Sequence, residues 1–203
     1  MISRPNRVAI VMLTLAIVLG GCAIQPPSAP SAGKRIAVAD WSAASFPTQW
    51  QLTGRTALRI DDEAVSASLH WQTQARQYQI DLRGALGSGS LRLVGDANSA
   101  TLTTAEGEQF TATNAQELVR ATTGYELPVG LLRWWVTGRP APWLTGHVVV
   151  DAQQRAQVIR QGGWEVTYDR YAIRSGYALP GRLSVQREGV EVRLSIRTWQ
   201  LGS

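Results

Sequence analysis

The sequence predicts a mainly β fold: one antiparallel sheet of about eleven strands that curls around an apolar interior, with two short helices over its open side. Three observations lead to this fold class. Apolar and polar residues alternate with a period of two through most of the chain after residue 48. Pairs of turn-forming residues separate these segments at short intervals, which favours antiparallel neighbours. Helical signals occur only in the middle of the chain, and a sheet this large with one polar face must curl around something apolar.

The strand pattern is clearest near the end of the chain, where apolar residues from Val190 to Ile196 alternate with polar or charged ones. One face of such a strand is buried and the other faces water. Strands are predicted at 48–60, 65–71, 78–82, 89–95, 99–104, 108–113, 145–150, 155–161, 164–171, 181–187 and 190–197. Hairpin turns are predicted at Asp61-Asp62, Asn98-Ser99, Glu106-Gly107, Gly162-Gly163 and Glu188-Gly189.

Two helices are predicted between the strand regions. Asn114 is a good N-cap for Ala115 to Thr123, with Glu117 at the third helical position and Gly124 as the C-terminal stop. Pro128 suits the first turn of a second helix that ends near Gly138. This second helix is apolar almost all round, at Leu131, Leu132, Trp134, Trp135 and Val136. A barrel plugged by the helix and a barrel with a ligand cavity beneath it have the same periodicity, so both remain possible from the residues alone.

The N-terminal residues 1–21 have the features of an export signal. Two arginines precede the apolar run Val8 to Leu19, which is shorter than the about 20 residues that span a bilayer. The segment Leu19-Gly20-Gly21-Cys22 contains the only cysteine and resembles the bacterial lipobox. That resemblance implies cleavage before Cys22 and acylation of its thiol and its freed amine. The alternatives are an ordinary secretory peptide with an incidental cysteine, or a buried core helix.

Composition predicts one domain behind a flexible tether. Residues 22–40 are rich in proline and small residues and predict a tether from the lipidated Cys22, while 41–203 suits a single domain. Two or three acyl chains on Cys22 would hold the protein at a membrane, because each buried methylene contributes about 0.8 kcal/mol.

Charge and motif content argue against nucleic-acid binding and catalysis. Removing residues 1–21 takes two arginines and no acid from 20 basic and 15 acidic residues, so the remaining chain is only mildly basic. The arginines are dispersed singly along the strands, without the clustered stripe that phosphate binding favours. The two histidines, His70 and His147, fall on different predicted strands, and no phosphate loop or metal-ligand spacing occurs. Asp61, Asp62 and Glu63 suggest either a cation site or a solvated hairpin turn, and the turn is the simpler explanation.

Short motifs run through nearly the whole predicted domain. They are Trp50-Gln51-Leu52-Thr53-Gly54-Arg55, Leu69-His70-Trp71-Gln72, Gly84-Ala85-Leu86-Gly87-Ser88, Gly124-Tyr125-Glu126-Leu127-Pro128-Val129, Leu132-Arg133-Trp134-Trp135-Val136-Thr137-Gly138, Gly163-Trp164-Glu165-Val166-Thr167-Tyr168, Leu179-Pro180 and Trp199-Gln200-Leu201. In this order and spacing they resemble the LolB family of outer-membrane lipoprotein receptors, within the LolA/LolB-like superfamily.

The resemblance implies a half-open antiparallel β-barrel with a short helical lid, anchored by lipid on the periplasmic face of the outer membrane. It implies that the protein accepts acylated lipoproteins from the periplasmic carrier LolA and inserts them into the inner leaflet, without nucleotide, cofactor or metal. We expect a monomer that is not an enzyme. Ala23 after the cysteine agrees with the family's usual rule for outer-membrane sorting.

Leu86 is the candidate membrane-inserting residue. It lies among glycines and small residues in Gly84 to Gly89, where few neighbours could bury it. A leucine in a hairpin is commonly a packing staple, but the resemblance implies that this position is a protruding leucine that engages the membrane.

The candidate residues for an acyl-chain cavity are apolar positions of the predicted strands and of the second helix. They are Trp50, Leu52, Leu69, Trp71, Ile80, Leu82, Leu91, Leu93, Trp134, Trp135, Trp164, Val166, Leu183 and Leu194. Arg133 and Arg139 flank the second helix and suit either an acidic carrier surface or solvated helix ends. The competing function is a lipid-anchored envelope scaffold or lipid sensor, which would share the anchor and the barrel.

Overall fold

The computed structural model describes residues 33–42, 45–84 and 89–202. Twelve strands in these ranges form one antiparallel sheet, and two α-helices and one 3-10 turn at Val38–Asp40 complete the fold. The strands are β1 Lys34–Ala37, β2 Gln49–Ile60, β3 Glu63–Gln74, β4 Gln77–Gly84, β5 Ser90–Gly95, β6 Ala100–Thr103, β7 Gln109–Ala112, β8 Gly146–Val150, β9 Ala156–Gln161, β10 Trp164–Arg174, β11 Tyr177–Arg187 and β12 Val190–Leu201. The helices are α1 Ala115–Thr123 and α2 Val129–Trp135.

The strand order across the sheet is β1-β8-β9-β10-β11-β12-β2-β3-β4-β5-β6-β7. The last strand, β12, pairs with β2, so the two chain halves meet in the middle of the sheet. Strands β1 and β7 are the two edges, and they do not pair with each other within the described residues. The predicted mainly β fold, an open antiparallel barrel with a helical lid, is therefore confirmed.

The eleven predicted strands correspond to β2 through β12, and β1 is an additional strand. Residues 34–40 were predicted to belong to the tether, but Lys34–Ala37 pairs with β8 and Val38 is buried in the core. The prediction failed here because β1 is only four residues long and has a single large apolar residue, Ile36. Alternation of apolar and polar residues is not visible in so short a segment.

The predicted hairpins follow the turn chemistry of their residues. Asp61 between β2 and β3 has a positive φ of 50°, and Gly162 and Gly163 between β9 and β10 have φ of 57° and 78°. Two consecutive residues with positive φ are typical of the tight turns that match strand twist, and glycine adopts them without steric cost. The short turns keep β2 with β3 and β9 with β10 in continuous register.

One face of the sheet, here called the inner face, carries the core. Alternate residues of β8 to β12, β2 and β3 on this face meet in a single buried cluster that includes Leu52, Trp71 and Leu194. Because side chains from so many neighbouring strands share one cluster, the sheet curves around it. The opposite face, the outer face, carries mainly polar and charged residues.

Helix α1 has the predicted bounds and caps. The Asn114 side chain accepts a hydrogen bond from the Glu117 backbone N–H at 2.8 Å, and Gly124 ends the helix at φ 78°. The Glu117 carboxylate accepts a hydrogen bond from the Thr113 hydroxyl at 2.6 Å. Ala115 and Leu118 pack on Leu93 and Leu102, so α1 covers the inner face at β5 and β6. Among the described helices, neither α1 nor α2 has the length and hydropathy needed to cross a bilayer.

Candidate functional site

A cavity of about 800 Å³ lies between the inner face of the sheet and the two helices. This volume falls within the roughly 300–1,000 Å³ of typical ligand sites. The cavity is lined by Trp71, Tyr78, Ile80, Asp96, Ala97, Asn114, Ala115, Gln116, Glu117, Arg120, Glu126, Val129, Gly130, Arg133 and Trp143. Its lining combines an apolar floor with polar and charged residues contributed mainly by the helices.

The floor of the cavity comes from neighbouring strands. Trp71 on β3 pairs in register with Ile80 on β4, and both side chains belong to the inner face. Tyr78, two residues before Ile80, points the same way, and burial raises its pKa, with Arg133 opposing that effect and Asp96 adding to it. The phenol is therefore neutral at physiological pH, and the floor carries no charge.

Helix α2 is fixed to the sheet at its C-terminal end. The Trp135 indole N–H donates to Oε1 of Gln161 at 3.1 Å, and the Tyr168 hydroxyl donates to the Trp135 carbonyl at 2.7 Å. Gln161 also accepts from the Ala141 N–H at 2.9 Å and donates to the carbonyls of Ala141 and Leu144 at 2.9 and 2.6 Å. A single buried glutamine thus holds both the end of α2 and the segment that follows it.

A group of aromatic rings and arginines surrounds the outer side of α2. The rings of Trp134 and Trp143 meet edge to face at 5.4 Å, and Trp143 is 63% exposed. The Arg139 guanidinium lies 5.4 Å from the Trp134 ring and 5.7 Å from the Phe46 ring, and burial lowers the pKa of Arg139. Arg133 lies 5.7 Å from the Trp134 ring and lines the cavity. Of the two arginines considered for docking, Arg139 is engaged with rings and Arg133 faces the cavity.

The apolar inner face continues beyond the helices toward the end of β4. Strand pairing places Val65, Leu91 and Phe110 on the inner face. They are nevertheless 64%, 39% and 42% exposed, respectively. Phe110 lies apart on the edge strand β7, in line with the buried Leu102 and Leu93. Val65 and Leu91 form a strip of exposed apolar surface on β3 and β5, close to the β4–β5 connection.

The candidate cavity residues divide into four groups. Trp71 and Ile80 line the 800 Å³ cavity. Ten other candidates belong to the main core cluster, where they are buried or partly buried: Trp50, Leu52, Leu69, Leu82, Trp134, Trp135, Trp164, Val166, Leu183 and Leu194. Leu93 belongs to the second cluster under α1, and Leu91 is exposed. Cys22 and Leu86 lie outside the described residues.

Several lining residues were not among the candidates. Val129 and Gly130 of α2 and the exposed Trp143 line the cavity, and Gln161 anchors its lid. Gln161 had a recognisable signal, because it interrupts the apolar positions of β9 with a polar side chain. Gly130 also had a recognisable signal, since glycine inside a short helix lowers helix stability and commonly has a packing or functional reason.

The histidines and acidic residues form separate structural contacts. His70 Nδ1 lies 3.6 Å from Asp81 on the outer face, and His147 accepts a 2.7 Å hydrogen bond from Arg35. Within residues 33–42, 45–84 and 89–202, no group of three or more histidine, cysteine or acidic side chains is arranged to hold a metal ion. Asp61 and Asp62 are exposed in the β2–β3 turn.

The fold and the cavity define a class of protein: an open antiparallel barrel with an apolar floor beneath a two-helix lid. A crystal structure of an outer-membrane lipoprotein-sorting protein domain from Vibrio parahaemolyticus has the same fold, with a TM-score of 0.53 at 8% identity, over 76% of this chain and 86% of that one.

Sequence comparisons identify the family within this class. The family model described as outer membrane lipoprotein LolB matches residues 48–199. The outer-membrane lipoprotein LolB of Alkalilimnicola ehrlichii is 39% identical over 98% of each chain, and that of Stutzerimonas stutzeri is 34% identical over 92% of each. The chain belongs to the outer-membrane lipoprotein LolB family.

Proposed function

We propose that the cavity under α1 and α2 receives the acyl chains of a lipoprotein delivered by a LolA-type carrier, and that this protein inserts the lipoprotein into the inner leaflet of the outer membrane. The observation that supports this most directly is the cavity floor of Trp71, Tyr78 and Ile80 beneath the two helices, of which α2 is held at its C-terminal end by Gln161. We propose that the protein does this as a monomer anchored through Cys22, with no catalytic step, nucleotide or metal.

The energetics of acyl transfer require an enclosed apolar site. Each methylene exposed to water costs about 0.8 kcal/mol, so exposing several tens of methylenes at once would cost tens of kcal/mol. Transfer between two apolar cavities avoids most of this cost. A difference of about 1.4 kcal/mol in affinity then shifts the distribution tenfold toward the receiver.

The uncovered inner-face residues support a route from the cavity to the membrane. Val65 and Leu91 extend the apolar surface of the inner face toward the β4–β5 connection, which contains Leu86. An exposed apolar strip of this kind is typical of surfaces that contact lipid or protein. We propose that Leu86 enters the leaflet and that the chains leave along this strip.

A cavity-filling variant tests the acyl site. Gly130 lines the cavity, and a Cβ atom at this position would have no heavy atom within 4 Å. Gly130→Trp therefore introduces bulk without a clash at Cβ, and we expect it to abolish uptake of an acylated lipoprotein from a LolA-type carrier in solution. Ala121→Trp on the exposed side of α1 is the control and retains uptake. Equal uptake by both variants would exclude this cavity as the acyl site.

The membrane role of Leu86 has its own test. Leu86→Glu is expected to take cargo from the carrier normally but to fail in delivering it to liposomes, because a charged side chain does not enter the leaflet at low cost. Unchanged delivery would remove the proposed role of Leu86 while leaving the cavity proposal intact.

A further inference from the structure

Strand pairing aligns arginines that are far apart in the sequence into a row on the outer face. Arg182 on β11 pairs with Ser195 on β12, which pairs with Arg55 on β2. Arg55 pairs with Ser68 on β3, which pairs with Arg83 on β4. Neighbouring strands lie about 4.8 Å apart, so successive arginines of this arginine row are about 10 Å apart. In the sequence these arginines are dispersed, and their spacing along the chain conceals this alignment.

A fourth arginine adds to the same surface. Ile196 pairs with Gly54 and Thr198 pairs with Thr53, so Arg197 is the extra residue of a β-bulge between them. Arg197 is exposed and lies one position from the row. A bulge commonly redirects a side chain, and here it adds a positive charge next to Arg55.

The arginine row is not neutralised by carboxylates on the neighbouring rows. Glu191 is held by Arg59 and Arg193 at 3.1 and 2.7 Å, and Asp81 is held by Arg92 at 2.7 Å. In the described ranges, which contain every acidic residue of the sequence, Arg55, Arg83, Arg182 and Arg197 form no ion pair. Their guanidinium groups are exposed to solvent with no partner of opposite charge.

We infer that the arginine row is a docking surface for the phosphate groups of an anionic phospholipid bilayer. Guanidinium groups bind phosphate oxygens in bidentate geometry, and basic clusters near a membrane are attracted to anionic lipid. Arg83 is the second residue before the undescribed β4–β5 connection that contains Leu86, so one end of the row adjoins the proposed membrane-inserting loop. The inference deepens the proposed function and rests on it.

The position of the row favours a membrane over the acidic surface of a carrier protein. The cavity lies between the inner face and the two helices, and a carrier that passes an acyl chain must reach it on that side of the sheet. The arginine row lies on the opposite face of the same strands. Binding of lipid phosphates there would orient the domain while the cavity stays accessible to the carrier.

Vesicle binding tests this inference with two variants of equal charge change. The protein is the chain from residue 22 with Cys22→Ser, so that binding is reversible, and the probes are vesicles of phosphatidylcholine with and without phosphatidylglycerol. The row variant combines Arg55→Gln, Arg83→Gln and Arg182→Gln. The control variant replaces three exposed arginines outside the row with glutamine: Arg35, Arg76 and Arg174.

Each arginine near an anionic surface changes partitioning by on the order of fivefold, so the row variant is expected to bind the phosphatidylglycerol vesicles about a hundredfold more weakly. The control variant should bind nearly as well as the unmodified chain, and the vesicles of phosphatidylcholine alone should not distinguish the three proteins. Equal loss in both variants would show a general charge effect and overturn the inference. Unchanged vesicle binding by the row variant would also overturn the inference. This includes the case in which the row variant binds vesicles normally but no longer binds the carrier.

Failure of the proposed function is separately visible. Uptake of an apolar fluorescent dye into the cavity is measured on the same three proteins, and the row substitutions should leave it unchanged because they lie on the outer face. If the unmodified chain takes up no dye, the cavity proposal fails, while the vesicle comparison still decides whether the arginine row binds anionic lipid.

Discussion

Replacing Gln161 is expected to loosen the attachment of α2 and to lower the stability of the whole domain. Gln161 is 2% exposed, and its side-chain amide makes four hydrogen bonds, to the Trp135 indole, to both backbone groups of Ala141 and to the Leu144 carbonyl. Gln161→Met keeps the length and most of the volume of the side chain but removes all four bonds.

The magnitude follows from the groups that lose their partners. A net contribution of about 1 kcal/mol for each hydrogen bond gives a loss of about 4 kcal/mol. The buried donors, Trp135 Nε1 and the Ala141 N–H, are left unsatisfied, which places the loss in the upper part of the range for single substitutions. For a domain of this size, the melting temperature should fall by roughly 10 °C.

Urea unfolding followed by tryptophan fluorescence measures this effect. We expect a lower midpoint with an unchanged slope, because the substitution alters the native state rather than the surface exposed on unfolding. Gln186→Met on the exposed face of β11 is the matched control and should stay within about 0.5 kcal/mol of the unmodified protein. If the two glutamine variants unfold at the same midpoint, the Gln161 network does not anchor the lid as argued.

Three further predictions concern local interactions. Asn114→Ala removes the α1 cap and should cost about 1 kcal/mol in urea unfolding, whereas Asn114→Ser should retain most of the stability. Burial and the nearby Arg35 and Arg160 lower the pKa of His147 below its ordinary value of 6.5, so the stability of the protein should decrease as the pH falls below that value. His147→Gln should remove this component of the pH dependence. Identical profiles of stability against pH for the variant and the unmodified protein would contradict this. Burial raises the pKa of Glu191, but hydrogen bonds from Arg193, Ser184 and Arg59 outweigh this effect, so the pKa is lowered overall. The contribution of Glu191 to stability is therefore present above pH 4.5 and is lost as the pH falls through the folded-state pKa. Acid unfolding of Glu191→Gln should show a weaker pH dependence.

The regular parts of the fold were predictable because their signals are local. Alternation identified β2 through β12, and the Asn114 and Gly124 caps identified α1 to the residue. Local signals failed for β1, whose four residues are strand only because β8 offers an unpaired edge. They also failed for the arginine row, since Arg55, Arg83 and Arg182 become neighbours only through strand pairing.

The candidate site was predictable in kind but not in its members. Trp71 and Ile80 were named as cavity residues and do line the cavity, whereas Trp164 and Val166 were named on the same pattern and lie in the packed core. Periodicity reports which face a side chain belongs to. It carries no information on what packs against that face.

Leu91 and Leu93 show the limit of the sequence most directly. Both lie on the inner face of β5, and the sequence by itself determined that face, as it determined the β class and the helix caps, because backbone geometry fixes side-chain alternation. Only the tertiary structure decided that Leu93 is buried beneath α1 while Leu91 stays exposed, and that a cavity lies under the lid. The reason is that burial depends on where the helices lie on the sheet, and contacts between residues far apart in the sequence set those positions: Leu118 with Leu93 for α1, and Trp135 with Gln161 for α2.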